Sequence, residues 1–270
     1  NLSGQLTVNY KASRRLNAFA TISTSYKPVG VNLGGLPTQS GKVMLELAQI
    51  KPEYVKHLEA GLKTKPTSHS TLNAVFHYTN VDDYQTQVQS PEVGVNRGYL
   101  ANAEEVRVIG VEVDYNVSVK DWLTLYANGA WTEGEYVSFK NAPVPLEEPG
   151  GSSAFKDISG GDLPGISKWA GSVGGELFTK QTKALGNEGR FFIGIDSYFR
   201  SRFSSSPSPS TYLYDPGYAL LNGRIGFRAQ NGLSFFIWGR NLFDKSYFEE
   251  LMVAAGNAAQ YARVMGVKHT

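Results

Sequence analysis

Apolar and polar residues along the chain alternate with a period of two. In residues 105–117, Ile109, Val111, Val113, Tyr115 and Val117 fall on one side, and Gly110, Glu112, Asp114 and Asn116 on the other. That period predicts a strand with one apolar and one polar face. The same split recurs at 190–200, where Phe191, Ile193, Ile195 and Phe199 oppose Gly194, Asp196, Tyr198 and Arg200. It recurs at 218–229 and at 233–240. A helix is disfavoured in these windows because Gly, Thr and β-branched residues interrupt any 3.6-residue stripe.

Eleven segments follow the pattern: 2–10, 17–26, 54–64, 71–84, 105–117, 121–134, 168–179, 190–202, 218–229, 232–243 and 261–268. Most are nine to fourteen residues long, against about 5–6 in soluble proteins. A tilted strand crossing a bilayer needs about 9–11. Short connections (11–16, 65–70, 118–120, 180–189, 230–231) alternate with long ones (27–53, 85–104, 135–167, 203–217, 244–260). Short turns on one side and long loops on the other describe an outer-membrane barrel; the plainer alternative is a soluble β-sandwich. With eleven strands, the first and last run in the same direction and cannot close an antiparallel barrel, so the segment is expected to be part of a larger one.

Composition narrows the function classes. The chain has 26 basic and 24 acidic residues for a net charge of +2, which argues against a nucleic-acid binder working by phosphate neutralisation. Cysteine is absent, which removes disulfide scaffolds, thiolate metal sites and cysteine nucleophiles. No run of about 18 apolar residues offers a transmembrane helix, a test to which barrels are blind. The chain starts at Asn1 without an initiator Met or signal peptide, so a segment N-terminal to it is expected.

Five stretches, in this order, resemble one known family. They are KPEYVKHLEAGLKT (51–64), the 81–115 section with DYQ and NAEEVRVIGVEV, LPGISKWAGSVGGEL (163–177), GRNLFDKSYFEE (239–250) and QYARVMGVK (260–268). They are similar to the corresponding segments of the TonB-dependent outer-membrane receptors. The resemblance implies an all-β, antiparallel transmembrane β-barrel, with residues 1–270 as about eleven strands from the C-terminal part of a 22-stranded barrel. It implies active import in the outer membrane of a Gram-negative bacterium, with a ferric siderophore as transported ligand and no resident cofactor. The implied partners are the TonB complex, reached through a plug domain absent from this chain, and outer-membrane lipid and lipopolysaccharide. Importers of cobalamin, haem or glycans are alternatives within the family, and a passive porin or adhesin barrel is the alternative outside it. The ending Lys-His-Thr departs from the aromatic terminus usual in the family.

Catalytic chemistry finds no foothold, and the protein is expected not to be an enzyme. His57, His69, His77 and His269 are scattered without i, i+4 spacing. Asp82–Asp83 and Glu104–Glu105 are neighbours whose side chains diverge on a strand, so they are expected to be loop-rim charges instead of an acid/base pair. No GxSxG or glycine-rich phosphate loop occurs.

The polar face carries Glu59, Glu112, Asp114, Glu176, Asp196, Arg200, Arg224, Arg228 and Arg240. An Arg or Lys facing lipid at mid-bilayer costs about 2–4 kcal/mol, so these charges are expected to point into a wet or protein-filled lumen. Arg200 and Arg202 near the outer rim are candidate ligands for an anionic chelate, because guanidinium pairs bidentately with carboxylates. Phe203, Tyr212, Tyr214, Tyr136 and Tyr84 are candidate aromatic contacts on the long loops. Trp122, Trp131 and Trp169 are expected in the interfacial girdle, and Asn241 and Asp244 as turn supports.

Overall fold

The computed structural model describes residues 2–39, 41–89, 98–145, 147–148, 155–184, 186–208, 210–253 and 261–265. Ten long strands run in chain order as an antiparallel meander. They are β1 (Gly4–Ser13), β2 (Leu16–Lys27), β3 (Glu53–Thr64), β4 (Ser70–Gln89), β5 (Gly98–Lys120), β6 (Leu123–Ser138), β7 (Trp169–Phe178), β8 (Asn187–Ser204), β9 (Tyr214–Ala229) and β10 (Ser234–Gly239). A short strand, Thr182–Ala184, pairs with the start of β8 and brings the sheet to eleven strands. The sheet is open, with β1 and β10 at its edges.

The register joins the alternation of single strands into two continuous faces. Val8 pairs with Ala20, Ala20 with Ala60, Ala60 with Phe76, Phe76 with Val111 and Val111 with Trp131. Beyond Trp131 the same row continues through Trp169. Lower on that face Val113 leads through Gly129, Gly171 and Phe199 to Ala219. The opposite face gathers His57, Glu59, His77, Glu112, Asp114, Glu176, Asp196, Arg200 and Arg224 along the same ladders. Paired residues in an antiparallel ladder share a face, so the predicted sorting of these charges holds on the six strands that carry them.

Among the described residues, large apolar side chains on this face stand exposed. Ile237 is 78% exposed and Val111 39%, as expected where acyl chains replace a core. Trp131 and Trp169 bound the band toward the long loops, and Trp122 stands in the short turn between β5 and β6.

A protein core forms above the band. β4, β5 and β6 outrun a membrane crossing, with 20, 23 and 16 residues, against the about 9–11 a bilayer requires. Their upper ends bury Val88, Tyr99, Ala101, Ala103, Val106 and Tyr136, and the segment after β6 folds back to add Phe139, Ala142, Ile158 and Leu163. Tyr136 and Phe139 stack with ring centroids 5.2 Å apart.

Several predicted connections are shorter than expected because the ladders continue past the membrane. The 85–104 loop is corrected to strand at both ends, pairing out to Gln89 and Gly98; residues 90–97 lie outside the described residues. Residues 214–217, expected in a loop, begin β9. The expected last strand, 261–268, is described as β12 (Tyr261–Met265). It pairs with an unpredicted strand, β11 (Phe248–Val253), and not with the main sheet; residues 266–268 lie outside the described ones.

Long loops are tied to strand ends by side-chain amides. Asn32 donates to the Leu47 and Leu100 carbonyls at 2.8 and 2.9 Å and accepts from the Leu100 N–H at 2.8 Å. Gln85 donates to the Pro28 and Lys51 carbonyls at 2.8 and 3.0 Å. Asn241 stays in a turn with φ 50°, accepting from the Lys245 N–H and donating to its carbonyl. Asp244 shares that turn, its N–H bonded to the Asn241 carbonyl.

Candidate functional site

The seven residues expected to meet a ligand divide into two groups. Arg200, Arg202 and Phe203 lie at the upper end of β8, Tyr214 opens β9, and Tyr212 stands in the 3-10 turn Thr211–Leu213 just before it. Tyr136 and Tyr84 belong to the loop core of β4, β5 and β6.

Two of the seven are buried. Tyr136 is 1% exposed and Phe203 4%, so neither ring offers surface to a ligand. Phe203 stands between polar Arg202 and Ser204 as a contact residue would, but neighbouring protein covers both rings. Burial pushes the Tyr136 phenol far above its ordinary range. Tyr84 is half-buried against the same core, and Tyr212 is 63% exposed.

The two arginines have different standing. Arg200 lies 3.6 Å above the Phe203 ring and spends its donors locally, on the Ser167 hydroxyl at 2.8 Å and the Gly165 carbonyl at 3.0 Å. Gly165 can present that carbonyl because it holds φ 79°, a left-handed conformation that costs glycine little. Arg202 stacks on Tyr214, 3.7 Å from the ring centroid, and forms no ion pair among the described residues. Stacking fixes the plane of a guanidinium and leaves its N–H edge open. The Tyr214 hydroxyl donates to Asp162 at 3.1 Å, and burial together with the Asp162 charge raises its pKa.

Arg202 opens onto a cleft of about 390 Å³ between β6, β7 and β8. Glu133, Asp162, Lys168 and Trp169 share the lining, and Lys168 is paired with Glu133 at 2.9 Å. The sequence reading missed Asp162 and Ser167 as site residues. Their signal was the LPGISK stretch between them, whose glycine, serine and lysine each hold a neighbouring strand end.

Below the rim, the lumen-side charges neutralise one another. Glu176 accepts from Arg224 at 3.0 Å, with Arg228 at 3.7 Å. Asp196 accepts from Asn222 at 2.8 Å, and His57 bonds the Thr79 hydroxyl at 2.8 Å. At the long-loop end Asp82 and Asp83 each pair with a lysine, Lys56 and Lys51. Arg240 and Asp196 line a lumen-side groove of about 430 Å³.

The family model described as TonB dependent receptor-like, beta-barrel, matches residues 1–242. Solved structures share the fold. The ferric yersiniabactin uptake receptor FyuA from Yersinia pestis superposes with TM-score 0.71 at 18% identity, over 99% of this chain and 35% of that one. The siderophore receptor PiuA from Acinetobacter baumannii gives 0.66 at 19%, over 99% and 34%. The copper transporter OprC gives 0.71 at 14%, over 99% and 38%. The chain therefore spans about a third of the length of these receptors.

Proposed function

The chain belongs to the TonB-dependent receptor β-barrel family, and on that premise we propose that it forms wall and outer loops of an outer-membrane importer for a ferric siderophore. The protein then works as a transporter and not as an enzyme, drawing on TonB through parts of the protein outside this chain. Arg202 carries the reading. Its guanidinium is held flat on Tyr214 at the long-loop end, its N–H edge faces a cleft, and no acid among the described residues neutralises it. A ferric chelate presents carboxylate, catecholate or hydroxamate oxygens around a metal that needs no further ligand. Such a surface suits charge-assisted hydrogen bonds and aromatic contact more than direct coordination. Arg200, Tyr214 and Tyr212 complete the proposed contact region. FyuA and PiuA support a siderophore by analogy of fold only.

The test is tyrosine and tryptophan fluorescence of the full-length protein in detergent, titrated with a panel of ferric chelates. Saturable quenching by one chelate at sub-micromolar concentration is expected. Arg202→Met should weaken it by about tenfold or more, the worth of a hydrogen bond to a charged group, roughly 1.5–3 kcal/mol. A folded protein that ignores every chelate while responding to copper ions, cobalamin, haem or a glycan overturns the siderophore assignment. Ion conductance through the isolated protein without TonB would favour a passive pore.

A further inference from the structure

The two ends of the sheet differ in charge. The short-turn connections, residues 11–16, 63–70, 118–122, 178–190 and 228–231, contain ten Lys and Arg against two acids, Asp121 and Glu188. The segments at the long-loop end, 27–56, 82–107, 133–168, 200–215 and 240–250, contain 13 basic and 17 acidic residues. A net charge of +2 for the whole chain conceals this separation.

Six of the short-turn cations, Arg14, Arg15, Lys65, Lys120, Lys180 and Lys183, are exposed and have no ion pair among the described residues. Arg190 and Arg228 are spent, the first on the Asp121 carbonyl at 2.8 Å and the second beside Glu176. The free cations recur at the first four short turns of the sheet, so at about 4.8 Å per strand they spread over about 30 Å of rim. Half-exposed Trp122 adjoins Lys120 and Asp121, and an interfacial Trp marks headgroup depth.

We propose that this rim binds the anionic phospholipid headgroups of the leaflet on the short-turn side. The distribution selects the partner. A protein meets one patch of a barrel end, whereas a leaflet surrounds the barrel and meets every turn. Like charges placed side by side repel, and phosphate groups between them relieve that repulsion, each cation near an anionic surface contributing about a fivefold gain in binding. A second basic feature points elsewhere. Lys11 and Lys63 line the inner part of a groove of about 520 Å³ with Asn17 and Asn73 on the lumen side, where bilayer lipid does not reach, and Arg14, Arg15 and Lys65 border its turn end.

The experiment is native mass spectrometry of the full-length protein from micelles holding equal phosphatidylglycerol and phosphatidylethanolamine. Wild-type protein is expected to retain phosphatidylglycerol at least about fivefold over phosphatidylethanolamine, and to lose that preference as salt rises. Changing the six free short-turn cations to Gln, with heat-modifiable folding checked on a gel, should abolish the preference. Lys27→Gln/Lys42→Gln/Lys140→Gln/Lys245→Gln at the long-loop end should leave it intact. No preference in the wild type, a preference insensitive to salt, or one that survives the short-turn changes overturns the proposal. So does loss of the preference through Lys11→Gln/Lys63→Gln alone, which would place the anion in the lumen. The wild-type arms decide the matter even if the sixfold variant does not fold, and none depends on the siderophore reading.

Discussion

Trp131 and Trp169 pair directly across β6 and β7, and at the other end of the same ladder Leu123 pairs with Leu177. Between the two pairs the apolar face of β6 carries Leu125, Ala127 and Gly129. This stretch has the length of one bilayer crossing, so the two pairs mark the hydrocarbon band on the sheet.

Facing can be tested inside that band. Val111 shares its row with Phe76 and Trp131, and Asn116 shares its row with Thr71 and Tyr126. Val111→Arg, at the Trp131 edge of the band, should cost less than the roughly 2–4 kcal/mol of a mid-bilayer arginine but more than Asn116→Arg on the lumen face. Heat-modifiable folding of the two variants on semi-native gels checks this, and equal behaviour would count against the facing.

Gly110 leaves room for a histidine. A Cβ there would run into the His77 imidazole and come within 2.8 Å of the Trp131 carbonyl oxygen. Gly110→Val should destabilise by about 1–3 kcal/mol through overpacking. His77→Ala in the same chain should recover part of the loss, because the ring yields and the carbonyl does not. Denaturant unfolding of the two single variants and the double variant measures the coupling.

The loop core should fail separately from the barrel. Tyr136→Ala removes a fully buried ring from the cluster above the membrane and should cost about 3–5 kcal/mol there. Protease sensitivity is expected to appear within 139–163, while the membrane part keeps its heat-modifiable mobility. Full protection of that segment would show that Tyr136 does not hold it.

Acid should loosen the same segment. The Ser159 hydroxyl and N–H both donate to Asp157, which lowers the pKa of its carboxyl, and the Ser159 hydroxyl also accepts from the Phe139 N–H at 3.0 Å. A carboxyl whose folded pKa is lowered stabilises above its unfolded value of 3.8 and loses that contribution as pH falls through the folded one. The effect is small because the group is exposed. Hydrogen-exchange protection factors near Phe139 and Ser159, taken relative to the intrinsic rate at each pH, should fall below about pH 4, and Ser159→Ala should remove that fall.

The sequence by itself determined which side of each strand is apolar and that the strands are long enough to cross a membrane. A strand has a period of two whatever surrounds it, so Val111, Glu112 and Arg224 declared their faces without tertiary information. The motifs at 51–64, 163–177 and 239–250 supplied the family in the same local way. Only the tertiary structure decided what covers an apolar side chain. Alternation looks identical at Val111, which stands exposed on the outer face, and at Val106 and Tyr136, which face protein, because a period of two records only which side of the strand is apolar. It also decided which arginine is free. Arg200 is spent on Gly165 and Ser167, and Tyr214 reaches Asp162 from 52 residues away. Contacts across such separations depend on how the strand ends bring loops together, and no local pattern encodes that.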